Sequence, residues 1–245
     1  MRKYEMIFFD WDGTAVESRA APADAVANAM APLLAAGVKL AAISGTSLHN
    51  IDGGKFAQRF EPQQRRNLYF GLDRGVNNYC FDICGNIIHI PGVKAGRDDI
   101  LALHKVCFDF HLKLLKDYSL NTDIVFCRDE YCKIDIGSNI SRGSNFFFTG
   151  DELDLINIGL RAHGYSGGIR GLIALAESLG REYVLPLKVT TDAKYIEMGF
   201  GTKSDNVDAI LSQFELDAGS ITDCFHTNRP HVSLDAPILV NLDTH

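Results

Sequence analysis

Two carboxylates stand two residues apart in "IFFDWDGTAVESR" (7–19): Asp10 and Asp12, behind an aromatic-rich apolar run and ahead of Gly13 and Thr14. Side chains at i and i+2 of an extended segment share a face, so both carboxylates can reach one small volume. Gly13 allows the chain to turn away sharply. Crowded carboxylates do not both stay comfortably ionised without a cation, and their pKa values separate. One can then serve as nucleophile or metal ligand while the other carries a proton. A plain strand-to-helix turn with an Asp cap would use the same Asp-Gly pair.

A second stretch, "ISGTS" (43–47), follows another apolar run. Ser44 offers a hydroxyl, Gly45 permits close backbone approach, and the N–H groups of a following helix would favour an anion. An ordinary helix cap reads the same way. Lys203, opening "KSDNVDAILSQF", would bring an ammonium to another helix start. Most lysines are simply solvated. These residues matter together only if the fold brings them together, and in open parallel sheets ligands bind beyond the carboxyl ends of the strands.

The elements needed for that are legible. Residues 5–9 suit a short buried strand, and 22–36 an Ala-rich helix with Pro22 near its start, Pro32 kinking or shortening its last turn, and Gly37 after its end. A strand at 38–44, a helix over 47–60 interrupted at Gly53–Gly54, and a strand at 67–72 complete a parallel α/β pattern. The texture then changes. Residues 77–90 read as a hairpin broken at Cys84–Gly85–Asn86, followed by an amphipathic helix at 98–116. Strands are expected at 122–127, 131–136, 183–189 and 195–200, and helices at 151–163 and 170–179. A capped helix at 202–214 and short strands in "GSITD" and "APILVNLD" return to the first sheet. The expected fold class is α/β, a Rossmann-like three-layer core with a parallel sheet and an inserted α+β domain.

Composition bounds the function. The 245 residues are 46% hydrophobic and 22% charged, within the globular range, and no stretch approaches the roughly 18 uninterrupted apolar residues of a membrane span. Arg2 and Lys3 precede an apolar run that Asp10 breaks before a signal-peptide core could form. Cytoplasm is the expected location. A net charge of −7 argues against a nucleic-acid partner, whose phosphates call for Lys and Arg. The six cysteines are expected as thiols; a zinc site from Cys80, Cys84, Cys127 and Cys132 has loose spacing and is set aside.

The order "DWDGT", "SG", a Lys at a helix start and an Asp after a short strand resembles the four motifs of the haloacid dehalogenase superfamily of phosphatases, over essentially the whole chain. The insertion, from "CFDICGNIIHI" to "KYIEMGFGTKSDNV", is similar to the C2-type cap of its sugar-phosphatase branch. The resemblance implies a catalytic core at 1–78 and 201–245 with a cap at 79–200. It makes Asp10 the nucleophile and Asp12 the general acid/base. Ser44 and Gly45 would hold the phosphoryl oxygens and Lys203 would neutralise them. Asp223, in "ITDCFHTN", would join Asp10 and Asp12 as a Mg²⁺ ligand. Asn228 stands where related proteins often carry a second Asp, Asp235 competes for that role, and Thr46 stands where this branch usually has a basic residue.

The implied activity is Mg²⁺-dependent hydrolysis of a small phosphorylated metabolite, a sugar phosphate by the cap type, through an aspartyl phosphate. Phosphotransfer or phosphomutase chemistry, or ligand binding without catalysis, are the alternatives. Trp11 is expected in the core and "HGYSGGIRGL" (163–172) as a turn of the insertion. Arg170, "SRGSN" (141–145), His226, His231 and Glu197 are secondary candidates for contacts to the leaving group or the site. Partners other than a small molecule, and the oligomeric state, are not legible.

Overall fold

Short apolar runs build the strands of the first unit. The computed structural model describes residues 6–18, 20–136, 150–192, 195–214 and 238–240. Its chain divides into two compact units, 1–93 with 202–245, and 94–201. In the first, β1 (Met6–Asp10), α1 (Asp24–Ala35), β2 (Lys39–Ile43), the one-turn α2 (Pro62–Arg65) and β3 (Leu68–Leu72) place three strands side by side and parallel. β4 (Asn77–Phe81) and β5 (Ile87–Pro91) add an antiparallel hairpin to β3. After the insertion, α6 (Lys203–Leu211) and β10 (Ile238–Val240) complete the unit. β10 pairs antiparallel with β1, so the sheet order is β10-β1-β2-β3-β4-β5.

The period-2 alternation of strand side chains explains why helices cover both faces. Leu40, Ala42, Leu68, Phe70 and Leu72 point into one core with Met30 and Leu34 of α1. Met6, Phe8, Ala41, Ile43 and Tyr69 point into the other with Val207, Ile210 and Leu211 of α6. Three layers result, as the sequence pattern requires.

Some expectations hold and others need correction. The sheet is parallel across β1, β2 and β3, as expected, and antiparallel strands extend it at both edges. The insertion expected to begin at residue 79 begins at 94, because the 77–91 hairpin ladders onto β3 (Phe70 opposite Tyr79, Leu72 opposite Asn77) and so extends the core sheet. The helix expected over 47–60 is three 3₁₀ turns, at 48–50, 52–54 and 56–59. Positive φ at Asp52, Gly53 and Gly54 interrupts α-helical propagation there. α1 contains Pro32, as expected, and runs three residues past it to Ala35. A proline inside a helix costs about 3 kcal/mol, whereas burying Met30 and Leu34 contributes about 1.5–3 kcal/mol each. The helix closes in a Schellman turn, with Gly37 N–H donating to Leu34 and Val38 N–H to Leu33.

The second unit has its own sheet and core. It contains α3 (Arg97–Tyr118), β6 (Asp123–Arg128), β7 (Tyr131–Asp135), α4 (Gly150–Ala162), α5 (Gly168–Glu182), β8 (Lys188–Asp192) and β9 (Tyr195–Gly199). Its four strands are antiparallel in the order β6-β7-β9-β8. Leu103, Val106, Phe110 and Leu114 of α3 and Leu172, Ala176 and Leu179 of α5 are buried. α5 runs to Glu182, beyond the expected 179, which delays the strand expected from 183 to Lys188. Cys107 of α3 and Cys132 of β7 are joined as a disulfide, their Cα atoms 7.4 Å apart, contrary to the reading of all six cysteines as thiols. Among the described residues no helix is long and apolar enough to cross a membrane.

Candidate active site

Asp10 is the last residue of β1, and its burial follows from the strand that carries it. The chain then turns tightly. Ala15 and Val16 N–H donate to the Trp11 carbonyl at 3.0 and 3.1 Å, Gly13 N–H donates to Val16 at 2.7 Å, and Gly13 takes φ +82°. Trp11 is fully buried against Phe56, with ring centroids 4.7 Å apart, so its place is in the core, as expected.

β2 runs parallel to β1 and ends level with it, Asp10 opposite Ile43. Ser44 continues the ladder by donating its N–H to Gly71 at 2.8 Å, which places its hydroxyl at the carboxyl end of the sheet. Ser44 Oγ lies 3.5 Å from Asp12 Oδ2, and the Thr46 N–H donates to the same Oγ at 3.2 Å. Thr46 is buried, accepting at its hydroxyl from Asn50 Nδ2.

Lys203 is the first residue of α6. Thr202 precedes it, donating both its N–H and its hydroxyl to Asp205, at 2.6 and 2.8 Å, and so fixing the first turn. A cation at a helix N-terminus is unfavourable on its own. Here Lys203 Nζ forms an ion pair with Asp10 Oδ1 at 3.0 Å. Burial raises the Asp10 carboxyl above its ordinary value, the Lys203 ammonium and the Trp11 N–H pull it back, and the charge of Asp12 adds a smaller upward push; the net direction is up.

Five of the expected residues, Asp10, Asp12, Ser44, Gly45 and Lys203, thus come from three strand-end or helix-start segments of one unit. Asp223 lies outside the described residues, as do Asn228, Asp235, His226, His231 and 141–145. Among the described residues no group of three His, Cys, Asp or Glu side chains is placed to hold a metal. Arg170 is exposed on α5. Glu197 is not on an exposed strand. It is buried on β9, paired with Lys133 Nζ at 2.8 Å and accepting from Thr190 at 3.4 Å.

The site also contains groups that motif reading missed. Asp73 and Arg74 follow β3 directly and are buried. Asn206, one turn along α6 from Lys203, is fully buried; its Nδ2 donates to the Leu72 carbonyl (3.0 Å) and Asn78 Oδ1 (2.8 Å), and its Oδ1 accepts from Gly75 N–H (2.8 Å). The strand-end rule that selects Asp10 and Ser44 selects Asp73 and Arg74 as well. "LDRG" carries no motif, but its position after a third parallel strand was a sufficient signal.

No protein-family model and no curated protein matches the sequence. Solved structures do. The IMP-nucleotidase of Plasmodium falciparum superimposes with a TM-score of 0.56 at 9% identity, over 87% of this chain and 52% of that one. An IMP-bound mutant of the same enzyme gives 0.57 at 12% identity, over 86% and 55%. The chain spans about half the length of these neighbours. At such identities the likeness is one of fold.

Proposed function

We propose that the protein is a phosphatase that hydrolyses a small phosphorylated metabolite through an aspartyl phosphate on Asp10. The observation that carries this reading is the buried Asp10 carboxylate at a strand end, paired with Lys203 at 3.0 Å and followed two residues later by Asp12, which meets Ser44. The fold shared with IMP-nucleotidase supports it. So does the order of motifs like those of the haloacid dehalogenase superfamily.

In the first step an Asp10 oxygen attacks phosphorus in line, the bond from phosphorus to the leaving oxygen breaks, and Asp12 gives its proton to that oxygen. In the second, Asp12 takes a proton from water as the water oxygen attacks phosphorus, the Asp10–phosphorus bond breaks, and inorganic phosphate leaves. Such proton transfer contributes roughly 10²–10⁴ in rate. Lys203 offsets charge on Asp10 and on the phosphoryl oxygens, and Ser44 can turn its hydroxyl to donate to one of them.

Asp10 offers a hard anionic oxygen and Asp12 its backbone carbonyl oxygen, both of the kind Mg²⁺ prefers, with Asp223 as the proposed third ligand. When bound, Mg²⁺ would supply charge neutralisation at the phosphoryl group. The substrate class we propose is a sugar phosphate, with the insertion acting as a C2-type cap. Nucleoside monophosphates belong in the same test because the fold neighbours are IMP-nucleotidases. Screening both classes for phosphate release, with and without Mg²⁺, tests the reading. Release that depends on Asp10 supports it, transfer to an alcohol without phosphate release would make the protein a phosphotransferase, and a wholly flat screen overturns catalysis.

A further inference from the structure

The loop after β3 adds a charged group to this site. Asp73 and Arg74 both adopt positive φ, +50° and +54°, followed by Gly75 at +92°. Consecutive non-glycine residues in the left-handed region are costly and persist only where the surroundings hold them. Here the Asp73 N–H donates to the Thr46 carbonyl at 3.2 Å, and Asn206 bonds Leu72 and Gly75 on either side of the two residues. The turn is thereby tied at once to the Ser44–Thr46 segment and to the helix that bears Lys203.

Its consequence is the path of Arg74. The side chain runs across Gly45: a Cβ on residue 45 would lie 3.4 Å from Arg74 Nε and 3.8 Å from one of its terminal nitrogens. Gly45 is the immediate neighbour of Ser44, whose hydroxyl lies 3.5 Å from Asp12. A glycine at 45 therefore leaves room for a guanidinium beside the segment that presents Ser44. Arg74 is only 7% exposed, so its charge acts in a desolvated place.

We infer that Arg74 is an anion-binding residue of the site, its guanidinium taking oxygens of the substrate's phosphoryl group from the β3 side. The inference rests on the phosphoryl-transfer reading above. Asp10, Asp12 and Asp73 put three carboxylates at these strand ends, in a chain of net charge −7. An incoming phosphate dianion requires local cations there. Lys203, paired with Asp10, is one such cation, and Arg74 beside Gly45 is a second. The planar fork of an arginine matches phosphate oxygens two at a time, which a lysine cannot do.

Titration of the full-length protein with inorganic phosphate, followed by calorimetry, tests this in wild type, Arg74→Gln and Arg74→Lys. The expected result is saturable binding by wild type, weakened about tenfold or more in Arg74→Gln, with Arg74→Lys between them. Thermal unfolding is measured in parallel to establish that each variant folds. A folded Arg74→Gln that binds phosphate as wild type does overturns the inference while leaving hydrolysis by the wild-type enzyme intact. If Arg74→Gln fails to fold, the Arg74 Nε–H resonance of the wild-type protein, assigned with Arg74→Lys, is followed through the titration instead. Movement that saturates with phosphate supports the role and a stationary resonance overturns it. A wild type that neither binds phosphate nor releases it from any substrate removes both the inference and the reading beneath it.

Discussion

Asp10 combines two demands that oppose each other. As a nucleophile it must be ionised, yet burial raises its pKa despite the Lys203 ammonium 3.0 Å away. Asp10→Asn is expected to reduce kcat by well over tenfold, since an amide is not an anionic nucleophile; retention of more than about a tenth, a barrier change below roughly 1.4 kcal/mol, would remove Asp10 from that role. The same variant reports on stability. With the folded pKa above the unfolded value of 3.8, the native state holds its proton more tightly than the unfolded chain does. Stability then falls as pH rises from the unfolded pKa through the folded one, and stays lower above it. In chelator-treated protein the Tm of Asp10→Asn relative to wild type should therefore climb from acid to neutral pH. A difference independent of pH would contradict the upward shift. Asp10, Asp12, Ser44 and Lys203 were legible in the sequence because motif order and strand-end position agree on them. Arg74 had the strand-end position but no motif to go with it, and Asn206 had neither, because what marks it is a tertiary contact with a turn far from it in sequence.

At the scale of elements, the site depends on how closely α6 lies against β3. At Gly71, the fourth residue of β3, the approach is close: a Cβ there would sit 2.5 Å from Asn206 Cβ and 2.6 Å from Ile43 Cδ1. Both neighbours are buried, so neither can move freely. Gly71→Ala is expected to push α6 outward at a cost of about 1–3 kcal/mol. Because Lys203 opens that helix, kcat should fall while the protein remains folded. Denaturant midpoint and turnover measured on the same preparation check this; an unchanged kcat in a destabilised variant would show that α6 transmits no displacement to Asp10. The core strands were readable in advance because their apolar runs are short and bounded. The 77–91 hairpin was readable as a hairpin but not as part of the core sheet, since alternation along β4 and β5 does not name the strand they pair with. The 47–60 segment failed as a helix for a local reason, the left-handed run at Asp52, Gly53 and Gly54.

The whole molecule consists of one α/β unit interrupted by another with its own sheet and core. The chain leaves the first unit after Val93 and re-enters it at Thr202, and Gly75 marks where those two points meet. Val93 N–H donates to the Gly75 carbonyl at 2.8 Å, and a Cβ on Gly75 would lie 3.3 Å from both the Thr202 carbonyl oxygen and Val93 Cγ2. A short linker can therefore span the gap left by residues 94–201. Shortening a loop lowers its closure entropy cost, by about 0.6 kcal/mol per halving of length, so the excision adds no entropic obstacle. A chain with 94–201 replaced by a few Gly and Ser residues is expected to unfold cooperatively and to hydrolyse p-nitrophenyl phosphate in an Asp10-dependent way. If the insertion selects the leaving group, the same chain should lose discrimination among the phosphorylated metabolites that the full-length protein distinguishes. Non-cooperative unfolding would mean that the first unit needs the second to fold. Cooperative unfolding with the original kcat/KM ratios intact would instead assign selection to the first unit, whose Arg74 turn lies at the root of both connections.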